Sequence, residues 1–173
     1  NEDLSVSEYA QSVLGHSMAK MIESGTVPAL DLGLEKRVHD TLLKLADEML
    51  INSAHDCSDG GLAVTLAESC ISGPGQLLGA VVQLSRGRLR KDAMLFGESQ
   101  SRVVISSQST HRQTILDQAR RFGVPAEMIG YVTGTRLTVH LREGASAESV
   151  IDQPVTALYD QWACSLERAV HHT

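Results

Sequence analysis

A short polar segment that ends in two adjacent glycines is the first candidate for chemistry. Asp56 could hold Mg²⁺, because this hard cation prefers carboxylate and phosphate oxygens. Ser58 could donate a hydrogen bond to a phosphate, and Gly60 and Gly61 would let a ligand approach free backbone N–H groups at a helix start. The alternative is structural, with Ser58 or Asp59 capping the helix and the glycines serving a tight turn. The residues alone leave both interpretations open.

A second polar run, Glu98-Ser99-Gln100, follows an apolar stretch and precedes a predicted strand. A loop of this kind at a strand edge could present donors and acceptors to a sugar or an amide, while the nearby Arg102 binds a phosphate. The competing interpretation is a solvated turn, with the arginine paired to a surface acid.

The charges are unevenly distributed along the chain. Residues 86–121 hold eight basic and three acidic side chains, a net charge of +5, in a chain whose total is −6. A locally basic segment in an acidic protein could receive a small anionic ligand or an acidic partner surface. It could equally be a solvated face without a ligand.

Composition excludes several classes of protein. The chain has 173 residues, of which 42% are hydrophobic and 21% charged, as in one ordinary globular domain. Aromatic residues make up only 3% and the net charge is negative, which argues against nucleic-acid binding. No stretch is typical of a membrane span or a signal peptide, and the three cysteines have no metal-like spacing. We therefore expect a soluble, cytoplasmic domain that binds neither nucleic acid nor a membrane.

The elements that would position the two polar segments follow from periodicity. Apolar residues at helical spacing predict a long helix that begins after Asp31 as its cap, and they include Leu34, Val38, Leu42, Leu45 and Met49. A short strand is expected at 53–55, a helix at 60–71, and strands at 77–84 and 103–106. Residues 1–30 are expected to be a linking segment with a short helix around 6–14. Residues 31–173 would then form the domain proper, a single domain overall.

The second half of the chain predicts a helix, a hairpin and a final helix. Thr110 and Gln113 fit a capping box ahead of a helix that Gly123 ends. Strands at 128–132 and 137–141 would pair as a hairpin. The final helix begins at Pro154 and would bury one apolar face, formed by Val155, Leu158, Trp162, Leu166 and Ala169. This mixture predicts an α+β fold.

The polar segments also resemble a known family. His55-Asp56-Cys57-Ser58-Asp59-Gly60-Gly61-Leu62, followed by Ala67-Glu68, is similar to the His-Asp-x-Ser-Asp-Gly-Gly-Leu signature of phosphoribosylformylglycinamidine synthases. The run from Phe96 to Arg102 is similar to a second block of that family. Pro28-Ala29-Leu30-Asp31-Leu32, followed by Leu34-Glu35, is similar to the segment that leads into the signature. The resemblance extends from about Ser7 to Val170.

This resemblance implies a fold and a set of residue roles. The fold is a PurM-like, AIR-synthase-related carboxyl-terminal domain, with α/β/α layers around a mixed, largely antiparallel sheet. The implied Mg²⁺ ligand is Asp56, and no catalytic residue is assigned to this chain. The implied nucleotide contacts are Ser58, Gly60 and Gly61, and the implied substrate contacts are Glu98, Ser99 and Gln100.

The resemblance implies a ligase that needs other components. The family converts formylglycinamide ribonucleotide, ATP and glutamine to formylglycinamidine ribonucleotide during purine biosynthesis. The expected partners are the remaining synthetase domains, a glutaminase domain or subunit, and the ribonucleotide, with ATP and Mg²⁺ as cofactors. Alone, the chain would be inactive, and an apolar surface should be exposed.

The alternatives are a non-catalytic scaffold domain of the same enzyme and a nucleotide-binding module of a related ATP-dependent enzyme. For a shared ligand, the loops at 56–58 and 98–100 must lie on the same side of the fold.

Overall fold

Helices alternate with short strands along the chain, and a computed structural model describes residue 4 and residues 6–73 and 76–171. In chain order the elements are α1 (Glu8–Ser12), α2 (Met18–Ser24), α3 (Leu32–Asp47), β1 (Ser53–Asp56), α4 (Gly61–Ile71), β2 (Ala80–Ser85), α5 (Lys91–Phe96), β3 (Val103–Ser106), α6 (Arg112–Arg121), β4 (Gly130–Val132), β5 (Arg136–Glu143), β6 (Ser146–Pro154), α7 (Val155–Ala163) and α8 (Ser165–His171). They form two compact units, with a boundary inside α4 after Thr65. The first unit comprises residues up to Thr65 together with Leu89–Met128, and the second comprises Leu66–Arg88 and residues from Ile129 onward.

The first unit is built on α3 and a two-stranded sheet. Asp31 caps α3 as predicted, because its Oδ1 accepts the Leu34 N–H at 3.0 Å. The side chains of Val38 and Leu45 are buried along one face of the helix. Strands β1 and β3 pair antiparallel, with Asp56 opposite Val103, so the two polar segments lie at the same end of this sheet. The predictions of α3 and of both strands are confirmed.

The second unit contains a four-stranded mixed sheet in the order β4-β2-β5-β6. Strand β2 pairs antiparallel with β4 and parallel with β5, which pairs antiparallel with β6. Alternate residues of β2 and β5 are buried on one face, as period-two patterning requires, and they are Val82, Leu84, Leu137, Val139 and Leu141. The predicted α+β fold with a mixed, largely antiparallel sheet is confirmed.

The predicted hairpin between residues 128–132 and 137–141 is wrong. Strand β2 lies between β4 and β5, and Gly79 and the turn after β4 exchange backbone hydrogen bonds of 2.9 Å. Both strands therefore pair with the apolar strand β2 and not with each other. The real hairpin joins β5 to β6 around Gly144, whose φ is +60°. Strand β6 was missed because it is an edge strand with few buried residues.

Two predictions about helices are corrected and a third is confirmed. A 3₁₀ turn at Ser109–His111 precedes α6, and no side chain caps that helix, so the capping box at Thr110 and Gln113 is wrong. Met49 lies beyond the end of α3 and is 82% exposed, because the helix stops one turn earlier than its apolar pattern. Gly123, with φ of +66°, does follow the end of α6 as predicted.

The helix that was predicted to end the chain begins after Pro154 as expected, where it forms α7, and Val155 is buried. It is interrupted at Cys164, however, and Trp162 is 54% exposed. Leu158 is only half-buried and Ala169 is exposed, while the side chain of Leu166 lies outside the described part of the structure. The single buried apolar stripe predicted for this helix is therefore wrong.

Exposed apolar side chains are concentrated near the amino end of the first unit. Residues 13–32 contribute seven large ones, namely Val13, Leu14, Met18, Ile22, Val27, Leu30 and Leu32. These side chains are consistent with the predicted apolar surface for other domains, which stays a prediction. No helix in the described ranges is long and apolar enough to cross a bilayer.

A close backbone approach fixes the start of α4 against the end of α5. Gly61 has a φ of +64°, and a Cβ placed there would lie 2.6 Å from the Gly97 carbonyl oxygen. Gly123, in the same unit, has a similar φ of +66°, but its Cβ would meet nothing closer than 3.7 Å. The two glycines therefore share a left-handed backbone and differ in the space around them.

We predict that Gly61→Ala lowers the free energy of unfolding more than Gly123→Ala does. The control should cost about 1–2 kcal/mol, the penalty of a left-handed backbone for a residue with a Cβ. The Gly61 variant adds a backbone collision to that penalty, and overpacking adds roughly 1–3 kcal/mol. Urea unfolding followed by circular dichroism measures both; equal losses would contradict the prediction.

Candidate functional site

A single carboxylate joins the two polar segments. Glu98 Oε1 accepts the backbone N–H of Gly60 at 2.9 Å and that of Glu8 at 2.8 Å. The first donor immediately precedes α4, and the second belongs to the first residue of α1. Both are N–H groups at helix starts, which lack partners within their own helix and attract anions. The prediction that the two loops lie on the same side of the fold is confirmed.

The two segments line one open pocket of about 350 Å³ within the first unit. Asp56, Ser58 and Asp59 line it from the turn after β1, and Glu98 and Gln100 line it from the loop before β3. Ser58, Asp59 and Gln100 are exposed, so their polar groups are accessible to a ligand. A concave site with converging polar groups is the usual form of a small-molecule site.

The loop from Gly97 to Arg102 is held by its own arginine. Arg102 Nε donates to the Ser99 carbonyl at 3.2 Å, and Nη2 donates to the Gly97 carbonyl. The Arg102 carbonyl in turn accepts the Cys57 N–H at 2.9 Å, which connects the loop to the first motif. Among the described residues, the guanidinium therefore has no acidic partner, which one interpretation of the sequence required. Its hydrogen bonds give the loop a defined shape.

The acidic side chains of the first motif are exposed to solvent. The Asp56 side chain is 76% exposed, and its Oδ1 lies 3.7 Å from His55 Nδ1. The Asp56 carbonyl accepts the hydroxyl of the buried Thr65 at 3.2 Å, so the backbone of the motif is fixed while the carboxylate is accessible. Among the described residues, no group of three or more His, Cys, Asp or Glu side chains is arranged to hold a metal. Asp56 could thus contribute only one ligand to a cation that a phosphate also binds.

The basic segment does not converge on the pocket. Arg90 pairs with Asp92, and this hydrogen bond lowers the pKa of the Asp92 carboxyl. Arg120 pairs with Asp117 at 2.7 Å. Of the eight basic residues between 86 and 121, Arg102 is the one that lines the pocket. Among the described lining residues, acids outnumber bases: Glu35, Asp56, Asp59 and Glu98 stand against Arg102 and His39.

The predicted site residues are brought together to different degrees. Asp56, Ser58, Glu98 and Gln100 share the pocket wall, whereas Ser99, Gly60 and Gly61 are not among its described lining residues. Gly60 and Gly61 are buried, with the Gly60 N–H bonded to Glu98.

Sequence reasoning missed two side chains that line this pocket. Glu35 and His39 reach it from α3, and Ser101 donates its hydroxyl to Glu35 Oε2. In the sequence, Glu35 was noted only as part of the segment similar to the one that leads into the family signature. The available signal was that Glu35 and His39 are four residues apart and therefore lie on one face of the helix. Nothing in the local sequence indicates that this face contacts Ser101, which is 66 residues further along the chain.

Comparison with known proteins places these motifs in a family. The family described as AIR synthase related protein, C-terminal domain, matches residues 9–142. Phosphoribosylformylglycinamidine synthase subunit PurL of Alkaliphilus metalliredigens is 35% identical over 161 residues, which are 93% of this chain and 20% of that protein. The subunit of the same name from Chlorobaculum tepidum is 40% identical over 147 residues, covering 83% of this chain and 19% of that protein. The chain therefore spans about a fifth of these relatives.

Solved structures show the same fold. Thermotoga maritima PurL complexed with FGAR superposes with a TM-score of 0.66 at 24% identity, covering 87% of this chain and 24% of that one. The PurLQS structure from Thermotoga maritima gives a TM-score of 0.64 at 24% identity, covering 79% and 23%. Together with the family match over most of the sequence, these likenesses identify the chain as a member of the AIR synthase related protein family, corresponding to its C-terminal domain.

Proposed function

We propose that this chain is the AIR-synthase-related C-terminal domain of a phosphoribosylformylglycinamidine synthase. That ligase converts formylglycinamide ribonucleotide, ATP and glutamine to formylglycinamidine ribonucleotide, ADP, phosphate and glutamate. The observation that carries the proposal is the bond between Gly60 and Glu98, which unites both family-like motifs at one pocket. Relatives at 35% and 40% identity that are named for this enzyme support it.

In this function the chain binds and orients rather than reacts. The exposed Ser58 hydroxyl and the Gln100 amide offer donors and acceptors to a nucleotide or a ribonucleotide. The bound Mg²⁺ would supply charge neutralisation to the phosphates of ATP. Asp56 fits this cation as one exposed carboxylate, since Mg²⁺ is usually held by one or two carboxylates with water and substrate phosphates.

Four of the predicted contacts support the ligand indirectly in this proposal. The Gly60 N–H and the Glu98 carboxylate bind each other, and Gly61 packs against Gly97. These groups hold the two loops in place relative to each other, so we assign to them the role of positioning the pocket residues. Ser99, whose carbonyl accepts from Arg102, belongs with them. The direct contacts proposed here are those of Asp56, Ser58 and Gln100.

The remaining components of the proposed enzyme lie outside this chain. Other synthetase domains would supply the catalytic groups and most of the ATP contacts, and a glutaminase domain or subunit would supply ammonia to displace the activated formamide oxygen. The PurLQS structure and the complex with FGAR among the similar proteins support these partners. An enzyme of this kind would act in the cytoplasm.

A scaffold domain of the same enzyme is the second candidate. It is favoured by the fact that Glu98 and Arg102, the charged groups of the second motif, are both engaged in internal hydrogen bonds. It is also favoured by the exposed apolar side chains at 13–32, because a surface of this kind is typical of an interaction site.

We predict that Glu98→Ala destabilises the chain by about 1–3 kcal/mol, because it leaves two helix-start N–H groups without their acceptor. Glu98→Gln keeps a carbonyl oxygen at the same position and should recover a large part of the loss. Thermal unfolding of the two variants and the parent chain tests this. A loss of the same size in both variants would show that the charge, and not the acceptor, is what matters.

We predict that the 173-residue chain does not hydrolyse ATP. One accessible aspartate, one serine and a glycine turn are too few groups to neutralise a triphosphate and to orient a nucleophile. A phosphate-release assay with the purified chain and Mg²⁺ measures the turnover. Steady turnover that Asp56→Asn abolishes would contradict the prediction.

The proposed function itself is tested in the complete synthetase that carries this chain. Ammonia-dependent synthesis should fall about tenfold or more in Asp56→Asn, the size of effect that groups around a metal usually have. Asp47→Asn makes the same charge change at the exposed end of α3, outside the pocket lining, and should leave the rate unchanged. Equal rates in the two variants would favour the scaffold candidate.

A further inference from the structure

Ser101 has an unusual backbone at the wall of the pocket. Its φ is +61°, in the left-handed region that a residue with a Cβ seldom occupies. Such a conformation persists only where neighbouring contacts hold it, and it is common at binding sites. Here Ser101 Oγ donates to Oε2 of Glu35, which also lines the pocket. The hydrogen bonds of Arg102 hold the loop from its other side.

Glu35 is itself fixed by its helix. It lies in the first turn of α3, four residues after the cap Asp31, and its side chain is 31% exposed. Its second oxygen, Oε1, lies 3.0 Å from His39 Nε2, one helical turn further along. The carboxylate therefore has a partner on each side, with one oxygen for Ser101 and one for His39.

The order of these three groups is not that of a serine nucleophile, a histidine base and an orienting carboxylate. A serine nucleophile needs a base in contact with its hydroxyl, with the carboxylate behind that base. Here the carboxylate contacts the hydroxyl and the imidazole contacts only the far oxygen. The arrangement can orient Ser101, but His39 cannot take its proton.

We propose that Glu35 is a positioning residue of the pocket, holding Ser101 and thereby the adjacent Gln100, and that His39 holds Glu35. Gln100 is exposed, and its side chain has no hydrogen-bond partner among the described residues, so its position depends on the backbone on either side. Its amide would present one donor group and one acceptor to the ligand. This inference rests on the proposed function, since it requires the pocket to be a substrate site.

The test is a set of variants of the complete synthetase, assayed for ammonia-dependent synthesis. Glu35→Ala and Ser101→Ala should each raise the KM for formylglycinamide ribonucleotide about tenfold, with a smaller change in kcat, because small displacements of a positioned group cost one to two orders of magnitude. The double variant should be no worse than either single one, since both remove the same contact. Glu35→Gln, which keeps an acceptor for the Ser101 hydroxyl, should restore most of the affinity.

Asp40→Ala is the matched control, because it removes the exposed Lys36–Asp40 ion pair from the same helix without touching the pocket lining. Its KM should equal that of the parent enzyme. Thermal unfolding is recorded for every variant; if Glu35→Ala does not fold, Ser101→Ala and Glu35→Gln decide the matter.

Two results would overturn the inference and leave the proposed function intact. The first is a Glu35→Ala enzyme with the KM of Asp40→Ala while Asp56→Asn is impaired. The second is an additive loss in the Glu35→Ala, Ser101→Ala double variant. If Asp56→Asn and Gln100→Ala both match the parent enzyme, the pocket is not the substrate site, and the inference and the proposed site fail together.

Discussion

The requirement that helix-start N–H groups find an acceptor organises the first unit. Gly60 is buried, so its N–H cannot turn to water, and an unpaired buried donor costs about 1–3 kcal/mol. Glu98 meets this requirement and accepts from Glu8 with the same oxygen. One carboxylate thus joins chain segments around residues 8, 60 and 98, and the stacking of Tyr9 on Phe96, with ring centroids 4.6 Å apart, lies beside this junction. The hydrogen bond between Gly60 and Glu98 therefore fixes the position of the second motif relative to the first.

This internal pairing changes the electrostatics of the pocket. An N–H group at a helix start usually favours a phosphate, but Glu98 already occupies the one at Gly60. Arg102 is likewise directed to the carbonyl groups of its own loop. The charges left open to solvent are then those of Asp56 and Asp59, which repel a bare phosphate. A phosphorylated ligand would enter such a pocket with a cation beside its phosphates, which agrees with the Mg²⁺ dependence that the proposed function requires.

Local signals in the sequence predicted local structure well. The cap at Asp31, the strand at Val103–Ser106 and the turn at Gly123 depend on neighbouring residues, and all are confirmed. The pairing of β4 and β5 with β2 could not be predicted, because an apolar strand offers the same pattern to a local and a distant partner. The site shows the same limit. Its motif residues were found by their types, whereas the contact between Glu35 and Ser101 depends on how α3 packs and has no local signature.

Left-handed backbone is concentrated where the two motifs meet. Gly60, Gly61 and Ser101 have φ values of +78°, +64° and +61°. Glycine occupies this region at almost no cost, and at Gly61 the close approach of Gly97 admits nothing larger. At Ser101 a glycine would suit the backbone better, by about 1–2 kcal/mol, but it could not donate to Glu35. The presence of serine at a position whose backbone favours glycine is therefore best explained by its hydroxyl, and the strain there marks the contact that fixes the Gln100 side of the pocket.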